Sequence, residues 1–94
     1  MELPPDALIK RRDDGHLTNP VGEETVLLDL KTGDYLGLDP VASSIWGHLQ
    51  TPQTVSSLIS KLMQEFDVEE AVCHSDTLEF LERIDSLGLI QRLS

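Results

Sequence analysis

Thr25-Val26-Leu27-Leu28-Asp29-Leu30, Lys31-Thr32-Gly33-Asp34 and Tyr35-Leu36-Gly37-Leu38 follow one another without interruption. The first block is an apolar run of strand length, the second is turn chemistry and the third is another short strand. The stretch from Glu24 to Asp39 therefore predicts a β-hairpin. Asp39-Pro40 then predicts a helix entry, because Asp can accept from the first free amides of a helix and Pro is preset for its first position. Val41, Ala42, Ile45, Trp46 and Leu49 follow at helical spacing, and Thr51-Pro52 closes a first helix of about 40 to 50.

Thr54 caps a second helix, in which Val55, Leu58, Ile59, Leu62, Met63 and Phe66 fall on one face at 3.6 residues per turn. Asp67 to His74 reads as a linker. Ser75 then caps a third helix, with Asp76 in its first turn, where an acid favours the helix dipole. Phe80, Leu81, Ile84 and Leu87 line one side of that helix, and Gly88 suits the left-handed position just past its end. Upstream of the hairpin, Ala7 to Arg12 reads as a short strand or extended arm, followed by the turn composition Asp13-Asp14-Gly15. Leu89 to Leu93 is a terminal strand or a packed tail. Strands followed by helices make the class α+β. The expected architecture is a three-stranded antiparallel sheet followed by three helices, in a winged-helix-like arrangement.

At 94 residues the chain has room for one small core, so a single domain over 1–94 is expected. No apolar run approaches the roughly 20 residues needed to span a bilayer. Met1-Glu2-Leu3-Pro4-Pro5 lacks the basic and apolar regions of a secretory signal, and one cysteine cannot build a disulfide framework. These features predict a cytoplasmic protein with no membrane association. A net charge of -10 opposes nucleic acid as a partner, because phosphate binding needs an excess of Lys and Arg.

Cys73 and His74 are sequence neighbours and point away from one another in either regular structure, which makes them a poor nucleophile and base. His16, His48 and the Cys73-His74 pair show no zinc-ligand spacing. No glycine-rich phosphate loop is present, so neither a metal nor a cofactor is expected. Asp85-Ser86-Leu87 in an acidic chain resembles the carrier triplet of acyl carrier proteins, but it closes a predicted helix instead of opening one. A DNA-reading winged helix is opposed by charge: from Glu65 to Asp85 eight acids stand against Arg83 alone.

Tyr35 to Leu38 ends a meander, so one side of its backbone is expected to be unpaired, and it contains neither Pro nor Lys to block pairing. Such an edge can accept an extended peptide as a further strand.

The ordered set Val26 to Asp39, Ile45-Trp46, Thr54-Val55 with Leu58-Ile59, and Phe80-Leu81 with Gly88-Leu89-Ile90 resembles the PqqD-like family over about 17 to 93. Members are small winged-helix-like domains that recognise the leader region of ribosomally made precursor peptides. The resemblance implies a stand-alone, non-catalytic adaptor. Its partners would be the precursor leader peptide and a leader-dependent processing enzyme, the aliphatic strand and Thr-Gly turn being closer to the lasso-peptide type. Delivery to a radical enzyme of pyrroloquinoline quinone synthesis is the alternative. The resemblance places the leader along Asp34 to Leu38 and against the helix from Asp76 to Leu87. The implied peptide-binding residues are Asp34, Tyr35, Leu36, Gly37, Leu38, Asp76, Glu79, Phe80, Arg83 and Leu87. In lasso pathways it suggests a Tyr and a Pro as leader anchors.

Overall fold

The hairpin forms where the sequence predicts it, through a buried acid. In the computed structural model, which describes residues 4–22 and 24–93, strand β3 (Glu24–Asp29) pairs antiparallel with β4 (Tyr35–Leu38). Met1 to Leu3, read above for a signal sequence, lie outside the described residues. Asp29 is buried, and its carboxylate accepts from the Lys31 amide and the Thr32 hydroxyl, both at 3.0 Å. The Gly33 amide donates to the Asp29 carbonyl, and Gly33 takes φ +81°, a left-handed geometry that glycine enters without strain. The turn thus satisfies an acid that would be costly to bury unpaired.

The third strand of this sheet is not the N-terminal segment. It is β2 (His16–Val21), and the order is β2-β3-β4. Asn19-Pro20 gives this stretch a turn-like composition, which hides it from sequence reading. The segment expected in that place becomes β1 (Leu8–Arg11), the centre of a second antiparallel sheet, β5-β1-β6, with β5 (Gln53–Thr54) and β6 (Ile90–Arg92) as its edges. The three-stranded antiparallel sheet ahead of the helices is present, but with different membership.

Helix α1 (Pro40–His48) carries the expected cap: Asp39 accepts from the Ala42 amide at 2.8 Å, with Pro40 in the first turn. Helix α2 (Val55–Glu65) opens on a capping box in which Thr54 and Ser57 each accept from the other's amide. Helix α3 (Glu70–Ser86) begins six residues earlier than expected, inside the stretch read as a linker. Its buried stripe is Cys73, Thr77, Leu81 and Ile84, so its first two core positions are filled by a small cysteine and a polar threonine, a weak apolar signal. Glu69 at its N-cap makes no side-chain bond to mark the start. Ser75 and Asp76 accordingly sit in the helix body, and the dipole argument for Asp76 falls. At the other end Gly88 takes φ +73°, the Gly88 amide reaches the Asp85 carbonyl and the Leu89 amide reaches that of Ile84. This is a Schellman ending, and it turns the chain into β6.

Trp46 joins the two sheets through α1. Its indole donates to Thr18 of β2 at 3.2 Å, its ring meets His16 edge-on at 4.9 Å, and the Arg11 guanidinium of β1 lies 5.0 Å from the ring centre. Ile9, Leu27, Leu38, Ile45, Leu58, Leu62, Leu81 and Ile84 fill the space between the sheets and the helices.

A polar clamp holds α1 to α2. Ser44 and His48 both reach the Glu65 carboxylate, His48 at 3.0 Å. The Ser44 hydroxyl first, and then His48, hold the Glu65 carboxyl below the ordinary carboxylate range, outweighing an opposing effect of burial. A carboxyl depressed in the fold stabilises it above its unfolded pKa, and that contribution is lost as pH falls through the folded value. Ser44→Ala should therefore reduce stability modestly at neutral pH, and the gap should close in acid below the glutamate range. Urea unfolding of both proteins across that window checks it, and a gap independent of pH would remove Glu65 as the cause.

Candidate functional site

The side chains and backbone of β4 meet two helices along an open groove of about 350 Å³. Leu36, Gly37 and Leu38 form one wall, Asp39, Val41, Ala42 and Ile45 line the α1 side, and Asp76, Glu79, Phe80 and Arg83 supply the α3 side. The four α3 residues are spaced at three, four and seven positions, which puts them on one helix face. Leu36 and Leu38 share the inward face of the sheet with Leu27, while Tyr35 and Gly37 face outward.

The phase of the hydrogen bonds in β4 decides what its outer edge offers. The Asp29 amide donates to the Asp34 carbonyl at 2.8 Å, which makes 29 and 34 a hydrogen-bonded pair. Antiparallel ladders alternate, so Leu36 and Leu38 bond to β3 while Tyr35 and Gly37 turn their N–H and C=O groups away from it. Among the described residues no strand pairs with that side. The opposite edge of the sheet differs. The Leu30 amide donates to the Gly15 carbonyl, and the same alternation makes Pro20 and Thr25 a pair without ladder bonds, so Pro20 faces outward. Proline has no N–H to offer there, which blunts the β2 edge. One edge can accept a strand along its length, and the other is interrupted.

Of the ten residues expected at the site, seven come together around the groove: Leu36, Gly37, Leu38, Asp76, Glu79, Phe80 and Arg83. Asp34 spends its carbonyl on the turn. Tyr35 is 74% exposed, with its side chain on the far face of the sheet, so it reaches the added-strand position only through its backbone. Leu87 caps the end of α3 and packs, half-buried, against the core instead of lining the groove. Its position two turns from Phe80 carries it past the end of the helix body. Phe80 does both things, touching the core and lining the groove. Sequence reading missed Asp39, Val41, Ala42 and Ile45. Their signal was the width of the α1 apolar face, which exceeds what Ile45 and Trp46 need for burial.

The other chemical candidates lie apart from the groove. Cys73 is buried in the core while the adjacent His74 is exposed. Ser86 ends α3 with its hydroxyl donating to the Arg83 carbonyl at 2.7 Å. Among the described residues no group of three or more His, Cys, Asp or Glu side chains could hold a metal ion, and no helix is long and apolar enough to cross a membrane.

The fold recurs in solved structures. TbiB1 in complex with the TbiA(beta) leader peptide is 29% identical, with a TM-score of 0.74 over 87% of this chain and 94% of that one. A lasso peptide synthetase B1 complexed with the leader peptide shares the fold at 20% identity, with a TM-score of 0.72 over 88% of this chain and 96% of that one. No curated protein matches the sequence. The family profile of coenzyme PQQ synthesis protein D matches residues 24–90, a span that contains β3, β4, all three helices and every residue lining the groove, and on that match the chain belongs to the PqqD family.

Proposed function

We propose that this protein is a non-catalytic adaptor that captures the leader region of a ribosomally made precursor peptide as a strand added to β4. The observation that carries this reading is the pairing of an open backbone edge at Tyr35 and Gly37 with an apolar-floored groove beside it. The edge supplies main-chain hydrogen bonds, and the groove reads alternate side chains. The likeness to two B1 proteins solved with leader peptides supports the same reading. Holding the leader raises the effective concentration of the core peptide at a processing enzyme. We assign that enzyme to the leader-dependent protease of a lasso pathway.

The family match favours a second reading, in which the precursor is delivered to a radical enzyme of pyrroloquinoline quinone synthesis. Fluorescence anisotropy with one leader of each kind separates the two. The lasso-type leader should bind at least ten times more tightly, and the reverse order would transfer the assignment.

Phe80 tests the groove. Phe80→Leu should keep the fold and lower leader affinity, and replacing the leader's apolar anchor by Ala should lose less in the variant than in the parent. The coupling expected for packed side chains is about 0.5–3 kcal/mol. A double-mutant cycle read by titration measures it, and an interaction energy of zero would leave Phe80 to the core alone.

A further inference from the structure

The α3 side of the groove is electrically divided. Asp76 and Glu79 lie toward one end and Arg83 toward the other, with half-buried Phe80 between Asp76 and Arg83. Among the described residues none of these three charged side chains has an ion-pair partner, whereas Asp39, the remaining acid of the groove, is engaged as the cap of α1. At 1.5 Å per residue, Asp76 and Arg83 stand about 10 Å apart along the helix. A strand lying on β4 points every second side chain toward the groove. Three such side chains span about 14 Å, a difference that the long Arg83 and peptide side chains can bridge.

We propose, resting on the strand-addition reading, that the groove selects peptides with three successive inward-facing residues of different character. A basic side chain sits at Asp76 and Glu79, an apolar one rests on Phe80, and an acidic one meets Arg83. Antiparallel and parallel pairing with β4 use different hydrogen-bond patterns, so the backbone favours one direction, and the charges then set the order of side chains along it. The acidic residue is the distinctive requirement, because a chain with a net charge of -10 would otherwise repel it.

Three labelled synthetic peptides test this, identical except at those positions: Lys-x-Leu-x-Glu, the exchanged Glu-x-Leu-x-Lys, and the uncharged Gln-x-Leu-x-Gln. At low salt one charged order should bind about 10-fold more tightly than the other, with the uncharged peptide between them. The ratio should shrink as the Debye length falls from about 30 Å at 0.01 M salt to about 3 Å at 1 M. The double variant Asp76→Arg with Arg83→Asp, both at exposed positions, should invert the preference while circular dichroism stays unchanged. Equal binding of the two charged orders, or a preference that the double variant leaves in place, would overturn the charge assignment while strand addition stands. Failure of all three peptides to bind would instead remove the strand-addition reading, and this proposal with it.

Discussion

Gly37→Pro should abolish most leader binding while leaving the protein folded, and Leu36→Pro should do the opposite, damaging the fold first. The two residues are neighbours, and only the phase of the ladder separates them. Gly37 directs its N–H outward, so proline there removes a donor that only an added strand uses and sets a ring across its path. Leaving the peptide's acceptor unpaired costs about 1–3 kcal/mol, which sets a loss of roughly fivefold as the expected minimum. Leu36 gives its N–H to β3, and its side chain packs against the core, so the same substitution breaks a bond the sheet needs. Gly37→Ala is the control: a Cβ at this position meets nothing within 4 Å, so fold and affinity should both persist. Leader titration beside circular dichroism checks the three variants. A folded Gly37→Pro with parental affinity would show that the leader does not pair with β4.

The largest effect on stability is expected at Trp46. Its side chain is 2% exposed and contacts His16, Thr18 and Arg11 from both sheets, so truncation opens a cavity and breaks their common attachment. Trp46→Ala should cost about 3–5 kcal/mol, against a total of about 5–15 kcal/mol for a domain of ordinary stability. For a chain this short the melting temperature should fall by at least about 12 °C. Trp46→Phe keeps most of the volume and loses the bond to Thr18, so its loss should be much smaller. Calorimetry decides it: a shift of only a few degrees in the alanine variant would mean the sheets are joined elsewhere. Trp46 neighbours Ile45 in α1, so groove and fold should melt together.

The features legible in the sequence are those written in local chemistry. The β3-β4 hairpin follows from an apolar run, the Lys-Thr-Gly-Asp turn and a second strand. The starts of α1 and α2 follow from Asp39 and Thr54, whose side chains make the bonds their identities suggest. Features that depend on distant partners were not legible. Strand β2 looks like a loop because of Pro20, and only the neighbour on its other side explains why proline is tolerated there. Segment β1 reads as a strand, but its partners lie more than 40 residues away, so nothing nearby says which sheet it joins. The start of α3 is hidden because Cys73 and Thr77 fill core positions. For the candidate site the strand edge was legible from the order of the strands, while the helix face was placed by the family resemblance, spacing alone giving only an acidic surface. The contribution of α1 was not, because Val41 and Ala42 read as core residues until the space beside them is known.

Pro20 has a consequence for stoichiometry. A sheet with two receptive sides can act as a bifunctional unit, joining copy to copy without limit. Here the sheet β2-β3-β4 ends on one side in a residue that cannot donate, which leaves it a valence of one. A strand added at β4 would fill that valence, so the sheet would take one peptide and growth would stop there. Through this sheet two empty copies could meet only edge to edge at β4, against the repulsion between two chains of charge -10, and a bound leader would remove that option.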